Sequence, residues 1–370
     1  MNYSVFKMNT PNDNNIHAQS PDATAPAKAS RGEKIFKRVL FAIGLVSFVI
    51  MIFSFKVSRE QLVTLLSRSW YIFPAVIAMW VPLYIMNAWA WRKMLQGQGR
   101  DEVSLLTMFR WTISGFALNS LTPMGLLGGE PYKIVELKRL VGTERATSSV
   151  ILFSMMHIYT HFWFWLTAIA VYLVLCLVGD LSLSVPIAIV LAFGGAFSLG
   201  GVYLFRKGYK HGFIMKLLRG LGHVWGLKGW AARMQDKHHD TLTTIDTQIS
   251  QLHSQDRSVY NACFWIEYVG RLLMSCEVFL ILIMLGVGNG GSLGGYLLLW
   301  LHSMLILAFT SLFANLLGFI PMQMGTREGG YALSAAQFGF TAGVGMVISI
   351  VCRLREVVWD AIGLLLMKKR

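Results

Sequence analysis

Six runs of this chain, at 35–55, 70–91, 150–178, 183–205, 262–287 and 343–367, are predominantly apolar over about 20 residues or more. A helix rises about 1.5 Å per residue, so each run is long enough to cross a hydrocarbon core of about 30 Å. Soluble core helices are seldom so long and so apolar together. The composition agrees: 55% of residues are hydrophobic and 14% charged, too few charges to cover a soluble domain. Trp70, Tyr71, Trp89 and Trp91 stand at the two ends of one run, where interfacial aromatics anchor a span. The sequence therefore predicts an all-α, polytopic membrane protein.

The net charge of +14 is the signature of nucleic-acid binding only when the basic residues form one surface. Here they fall in the segments between apolar runs, where they suit cytoplasmic loops and anionic lipid headgroups. Arg31, Lys34, Lys37 and Arg38 stand before and at the start of the first run, Lys368, Lys369 and Arg370 follow the last, and 206–258 is the most basic stretch of all. These positions place both termini and that loop in the cytoplasm, with the protein in the cell (inner) membrane. Residues 1–33, rich in Asn, Pro, Ala and Ser, are expected to be disordered. They lead into one transmembrane domain, 34–370. Within the basic loop, 213–226 reads as an amphipathic surface helix and 238–255 as a polar helix.

Charge placement also forces two excursions. Arg92, Lys93 and Arg100 want to be inside, and so do Lys133, Lys138, Arg139 and Arg145. Segment 103–132 must then enter and leave the membrane on that side. By the same rule 296–340 enters and leaves from the outside. The expected fold has about 6–8 membrane helices and two re-entrant or broken segments forming an inverted repeat.

The excursions resemble one another. In each, an apolar helix carries an Asn (Asn119, Asn315) and then meets Pro-Met (Pro123, Pro321); a glycine-bearing stretch follows, and a Glu (Glu130, Glu328) stands seven residues after the Pro. Backbone that leaves the helix at membrane depth must satisfy its N–H and C=O groups in protein or in a wet cavity. Paired broken helices are the usual pointer to a transporter's binding site, and their exposed N–H groups favour anions such as a phosphate headgroup. Ionisable residues at depth are costly, so Glu130 and Glu328 are candidate site residues, with a capping role as the plainer alternative. Lys133 is the near partner for Glu130, and Arg353 or Arg355 for Glu328. Glu267 and Arg271, four apart, are expected to pair within their helix. Glu277 has no partner nearby in sequence. His157 and His161 share a helix face and are expected to hydrogen-bond there rather than bind metal.

At these residues the chain resembles the transmembrane region of lysylphosphatidylglycerol synthases, the flippase-like family. The resemblance rests on Pro123, Gly125, Gly128, Gly129 and Glu130, on Pro321, Gly325 and Glu328, and on the following Arg353; it covers about 35–367. It implies movement of a phospholipid or lipid-linked substrate between leaflets, with those residues, Asn119, Lys133, Asn315 and Arg355 lining the path. The chain ends at Arg370 just after its last run, so the resemblance does not extend to aminoacyl transfer. The second stretch departs from the pattern at Gln323 and Thr326, which stand where the first has glycines.

No P-loop, GxGxxG or GxSxG occurs, and the four cysteines have no CxxC spacing. Neither an enzyme, nor a cofactor, nor a metal is expected. An intramembrane lipid-modifying enzyme and a non-transporting scaffold remain as rivals. The expected partners are the lipid substrate and anionic headgroups at the basic loop, with no nucleic acid.

Overall fold

An apolar run in hydrocarbon has no water to satisfy its peptide groups, so it closes its own hydrogen bonds as helix. The computed structural model describes residues 72–98, 103–122, 128–211, 257–287, 291–316, 323 and 325–368, with positions 35, 38, 39, 243 and 247 besides. Over these residues the order is α1 (Ile72–Gln96), α2 (Leu105–Leu121), α3 (Gly129–Val141), α4 (Thr143–Val178), α5 (Val185–His211), α6 (Arg257–Met284), α7 (Leu293–Leu316), α8 (Thr326–Gln337) and α9 (Ala342–Lys368), with no strand among them. Most of the first expected span, the polar N-terminus and the helices expected at 213–226 and 238–255 fall outside the described residues.

Four helices, α1, α4, α5 and α7, are long and apolar enough to cross a membrane. The chain is a membrane-embedded, polytopic all-α protein. Two more helices, α6 with 28 residues and α9 with 27, reach about 40 Å at 1.5 Å per residue. They are less apolar because their middles bury charge: Glu267, Arg271 and Glu277 on α6, and Arg353, Arg355 and Asp360 on α9. A buried charge in a span-length helix belongs at a protein interior, away from lipid.

Both predicted excursions form antiparallel hairpins, in which a short helix, α3 or α8, folds back on a longer one, α2 or α7. In the first, Gly129 of α3 faces Gly115 and Asn119 of α2, and the chain leaves α3 through Gly142 into the start of α4. In the second, Gly330 and Ser334 of α8 face Thr310 of α7. Phe340, just after α8, packs on His302 with 5.9 Å between ring centres, and His302 Nε2 holds Asp180 Oδ2 at 2.7 Å. The α8–α9 turn therefore lies at the α4–α5 end of the molecule, and Gly142 at the opposite end. From these ends α8, with 12 residues, and α3, with 13, reach inward about 18–20 Å to the helix breaks. The breaks thus lie well inside the bundle, and the two hairpins enter from opposite ends.

The packing repeats as the sequence does. Helix α2 lies along α9, with Ser114 Oγ donating to the Gly363 carbonyl at 2.9 Å. The counterpart contact joins α4 to α7, where Trp165 Nε1 donates to Ser311 Oγ at 2.9 Å. Helices α1 and α6, one from each half, pack together across the middle. Close approach of α2 and α9 depends on Gly363. A Cβ there would stand 2.5 Å from the Ala117 Cβ and 2.9 Å from the Ile113 carbonyl oxygen. Gly363→Val should push the helices apart and break the Ser114 bond. The expected loss is about 2–4 kcal/mol, from overpacking plus one hydrogen bond. Thermal unfolding in detergent reads it, and an unchanged midpoint would contradict this packing.

Candidate functional site

Each break is fastened by side chains that replace the missing helix bonds. At the first, Asn119 on the last turn of α2 does two jobs. Its Oδ1 accepts from the Gly129 backbone N–H at 2.8 Å, and its Nδ2 donates to Glu130 Oε1 at 3.1 Å. Flipping the amide would lose both bonds, so its orientation is fixed. Gly129 has to be glycine because a Cβ would collide with the Gly115 carbonyl oxygen and the Asn119 side chain. One turn along α3, Lys133 is 1% exposed. Its ammonium sits 5.0–5.7 Å from the ring centres of Phe116, Phe153 and Trp91, and 3.8 Å from Glu130 Oε1. Three ring faces and a carboxylate stand in for the water it gave up.

At the second break, Gly325 has φ of +81° and opens α8. Its N–H donates to Glu328 Oε2 at 2.7 Å, while Glu328 Oε1 accepts from Arg353 Nε at 3.1 Å. Gln323 holds a left-handed φ of +52°, a costly state for a residue with a side chain. Its carbonyl is held by Arg353 Nη2 at 3.3 Å and by the Thr326 hydroxyl at 2.9 Å. Glu328 is therefore both a helix cap and an ion-pair partner.

The two breaks converge on one stretch of α9. Arg353 reaches the second break, and Asp360, two turns on or about 10 Å along the axis, accepts from Ser120 Oγ at 2.8 Å beside the first. Between them, Glu356 pairs with Arg327 and with Arg353, the latter at 3.3 Å. Arg355 turns the other way. It makes a two-pronged pair with Glu277 of α6, at 2.8 and 3.0 Å, and its guanidinium stacks 3.8 Å over the Trp80 ring. Trp80 Nε1 also donates to Glu277 at 3.2 Å.

On the facing wall, α6 is bound to α4. Glu267 Oε2 accepts from His157 Nδ1 at 2.7 Å. Arg271 donates from Nε to Thr160 Oγ1 at 2.8 Å, from Nη1 to His161 Nε2 at 2.7 Å, and from Nη2 to the His157 carbonyl. Because His161 Nε2 accepts, the His161 proton lies on Nδ1, which faces the His157 carbonyl at 3.2 Å. The pairing expected between Glu267 and Arg271 is replaced by these links; among the described residues no ion pair joins the two. Both lie on one face, as their spacing predicted, but that face meets hydrogen-bonding groups of α4, which bind Arg271 through three donors and Glu267 through one oxygen.

Between these walls lies a cavity of about 200 Å³, bordered by α1, α2, α4, α6 and α9. Arg271, Glu267, Arg355, Glu356 and Asp360 line it, with Trp80, Tyr84, Phe116 and Trp359 as its aromatic surface.

Of the candidates read from sequence, Arg355 lines this cavity, with Glu277 rather than Glu328 as its partner. Asn119, Gly128, Gly129, Glu130 and Lys133 build the first break, and Gly325, Glu328 and Arg353 the second. Asn315 donates to the Ser311 carbonyl of its own helix at 2.7 Å and is exposed. Pro123, Gly125 and Pro321 lie outside the described residues. Sequence reasoning singled out neither Asp360 nor Glu356; two acids four apart on a span-length helix, after two arginines, were the available signal. The lining aromatics gave none, since Trp and Tyr are common in any membrane protein.

The family described as Lysylphosphatidylglycerol synthase TM region matches residues 38–362 of the chain. No curated protein and no solved structure matches it.

Proposed function

This chain belongs to the Lysylphosphatidylglycerol synthase TM region family, and we propose that it moves a phospholipid or a lipid-linked substrate between membrane leaflets, without changing it chemically. The observation that carries this reading is the placement of charge. Inside a bundle of span-length helices, ionisable groups from α6 and α9 line a cavity, and α9 ties that lining to both helix breaks, through Asp360 to Ser120 and through Glu356 to Arg353. Each such group costs several kcal/mol in hydrocarbon, so their concentration at one depth argues for a polar substrate that must cross there. Acyl chains would remain in lipid while the headgroup passes the cavity. The break-forming residues Asn119, Glu130, Lys133, Glu328 and Arg353 hold the frame in which this happens. The basic segments flanking the spans support a cytoplasmic location for both termini and contact with anionic lipids.

The test is transport by purified protein in vesicles, read as loss of a fluorescent phospholipid from the outer leaflet. Arg271→Ala, which removes a cation from the cavity wall, should slow it by at least about tenfold, the effect of about 1.4 kcal/mol on a rate. Glu130→Gln and Arg353→Ala should slow it as well, through the breaks. Variants that match the parent rate would sink this site. A changed lipid composition in the vesicles, rather than changed sidedness, would favour an enzyme instead.

A further inference from the structure

Three carboxylates line the cavity, and their surroundings differ. Glu356 is flanked by Arg327, Arg353 and Arg355, the last at 3.8 Å. Glu267 has His157 and shares its helix face with Arg271. Asp360 is 5% exposed, and the hydrogen bond that the structure gives it comes from the neutral hydroxyl of Ser120. No ion pair reaches it among the described residues. A carboxylate accepts up to four hydrogen bonds, so most of the capacity of Asp360 is unspent and faces the cavity.

The surface next to Asp360 is aromatic. Tyr84 meets Trp359 edge-on at 4.9 Å and Phe116 at 5.7 Å, ring centre to ring centre. All three line the cavity. Aromatic rings beside a buried acid with open accepting capacity are a combination suited to an ammonium group. Lys133 shows the same chemistry satisfied within this chain, as an ammonium set among three rings and a carboxylate.

Arg271 presents the opposite pole. It is 4% exposed and has no carboxylate within ion-pair reach among the described residues. Three of its five N–H groups are committed to Thr160, His161 and the His157 carbonyl, which leaves two donors. Those two can serve an anion in the cavity, and a phosphate suits the guanidinium fork. The poles stand on different walls, Arg271 fastened to α4 and Asp360 to α2. At about 200 Å³, the space exceeds what a single water needs by roughly tenfold and holds a small headgroup.

We propose that the cavity is a two-pole site for a zwitterionic headgroup, with its ammonium on Asp360 among Tyr84, Phe116 and Trp359, and its phosphate on Arg271. The substrate class is a phospholipid of the phosphoethanolamine type. This rests on the lipid-translocation reading and adds to it the requirement for an amine.

The experiment uses the full chain in phosphatidylglycerol vesicles carrying a trace of acyl-labelled phosphatidylethanolamine or acyl-labelled phosphatidylglycerol. The parent should move the ethanolamine lipid at least about tenfold faster, since one close charge pair is worth 1.4 kcal/mol or more. Asp360→Asn, which keeps the shape and can still accept from Ser120, should bring the two rates together. Asp360→Glu, which restores the charge, should recover part of the preference. If the parent moves both lipids equally, the amine site is refuted while translocation stands. If neither lipid moves faster than in protein-free vesicles, translocation of phospholipids falls, and the amine site with it. Should Asp360→Asn fail to fold, the parent's own preference decides the question.

Discussion

Arg355→Ala should destabilise the protein by about 3–5 kcal/mol, the cost of leaving a buried charge without its partner. Glu277 is 3% exposed, deep in α6, and Arg355 supplies two of its hydrogen bonds, at 2.8 and 3.0 Å. Without the guanidinium, Glu277 keeps the Trp80 indole and little else. Trp80 in turn loses the cation stacked on it at 3.8 Å. The double variant Glu277→Leu, Arg355→Met should recover most of the stability, because a buried ion pair and an apolar pair of similar volume come out close in energy. It should leave the Trp80 N–H unsatisfied, for about 1 kcal/mol. It should not recover transport, if the charge of Arg355 serves the cavity. Thermal unfolding in detergent and vesicle transport, run on the same preparations, separate the two effects. A single variant as stable as the parent would show that Glu277 and Arg355 do not depend on each other.

Gly129→Leu should open the first hairpin. There is no room for any side chain at this position: a Cβ would overlap the Gly115 carbonyl oxygen and come within 2.7 Å of the Asn119 side chain. The neighbour is backbone in the middle of α2, which cannot step aside without moving the helix. The substitution also displaces the amide that Asn119 accepts from, so the overpacking cost of about 1–3 kcal/mol adds to a lost buried hydrogen bond of about 1–3 kcal/mol. Lys133 would move with α3 and leave its ring cage, exposing a region that is otherwise closed. A cysteine placed at Ser120 should then react with a thiol reagent several times faster in the Gly129→Leu background than in the parent. Gly129→Ala, which meets the same carbonyl, should show a weaker form of both effects. Equal labelling in all three backgrounds would mean that α3 does not close on α2 here.

The membrane fold was legible in the sequence because it follows from local quantities. Run length, apolarity and the sign of flanking charges are properties of consecutive residues, and hydrocarbon leaves helix as the one way to satisfy a lone backbone. The two breaks were visible for the same reason: Asn, Pro, Gly and Glu at matching offsets act within a single hairpin. Glu130 could be paired with Lys133 from sequence because a single turn separates them; for Glu328 the sequence offered Arg353 and Arg355 alike, and the packing of α9 on α8 selected Arg353.

What the sequence could not supply is which faces meet. Spacing put Glu267 and Arg271 on one face, and that held, but what they touch is decided by the rotation of α6 against α4, more than a hundred residues earlier. The same holds for Glu277 with Arg355 and for Ser120 with Asp360, which are brought together by the packing of α9 between α6 and α2. A buried charge seeks the nearest group that can satisfy it in three dimensions. Sequence thus determined that charges would lie at depth in this chain, and tertiary packing alone determined which of them are neutralised and which, like Asp360, still face the cavity.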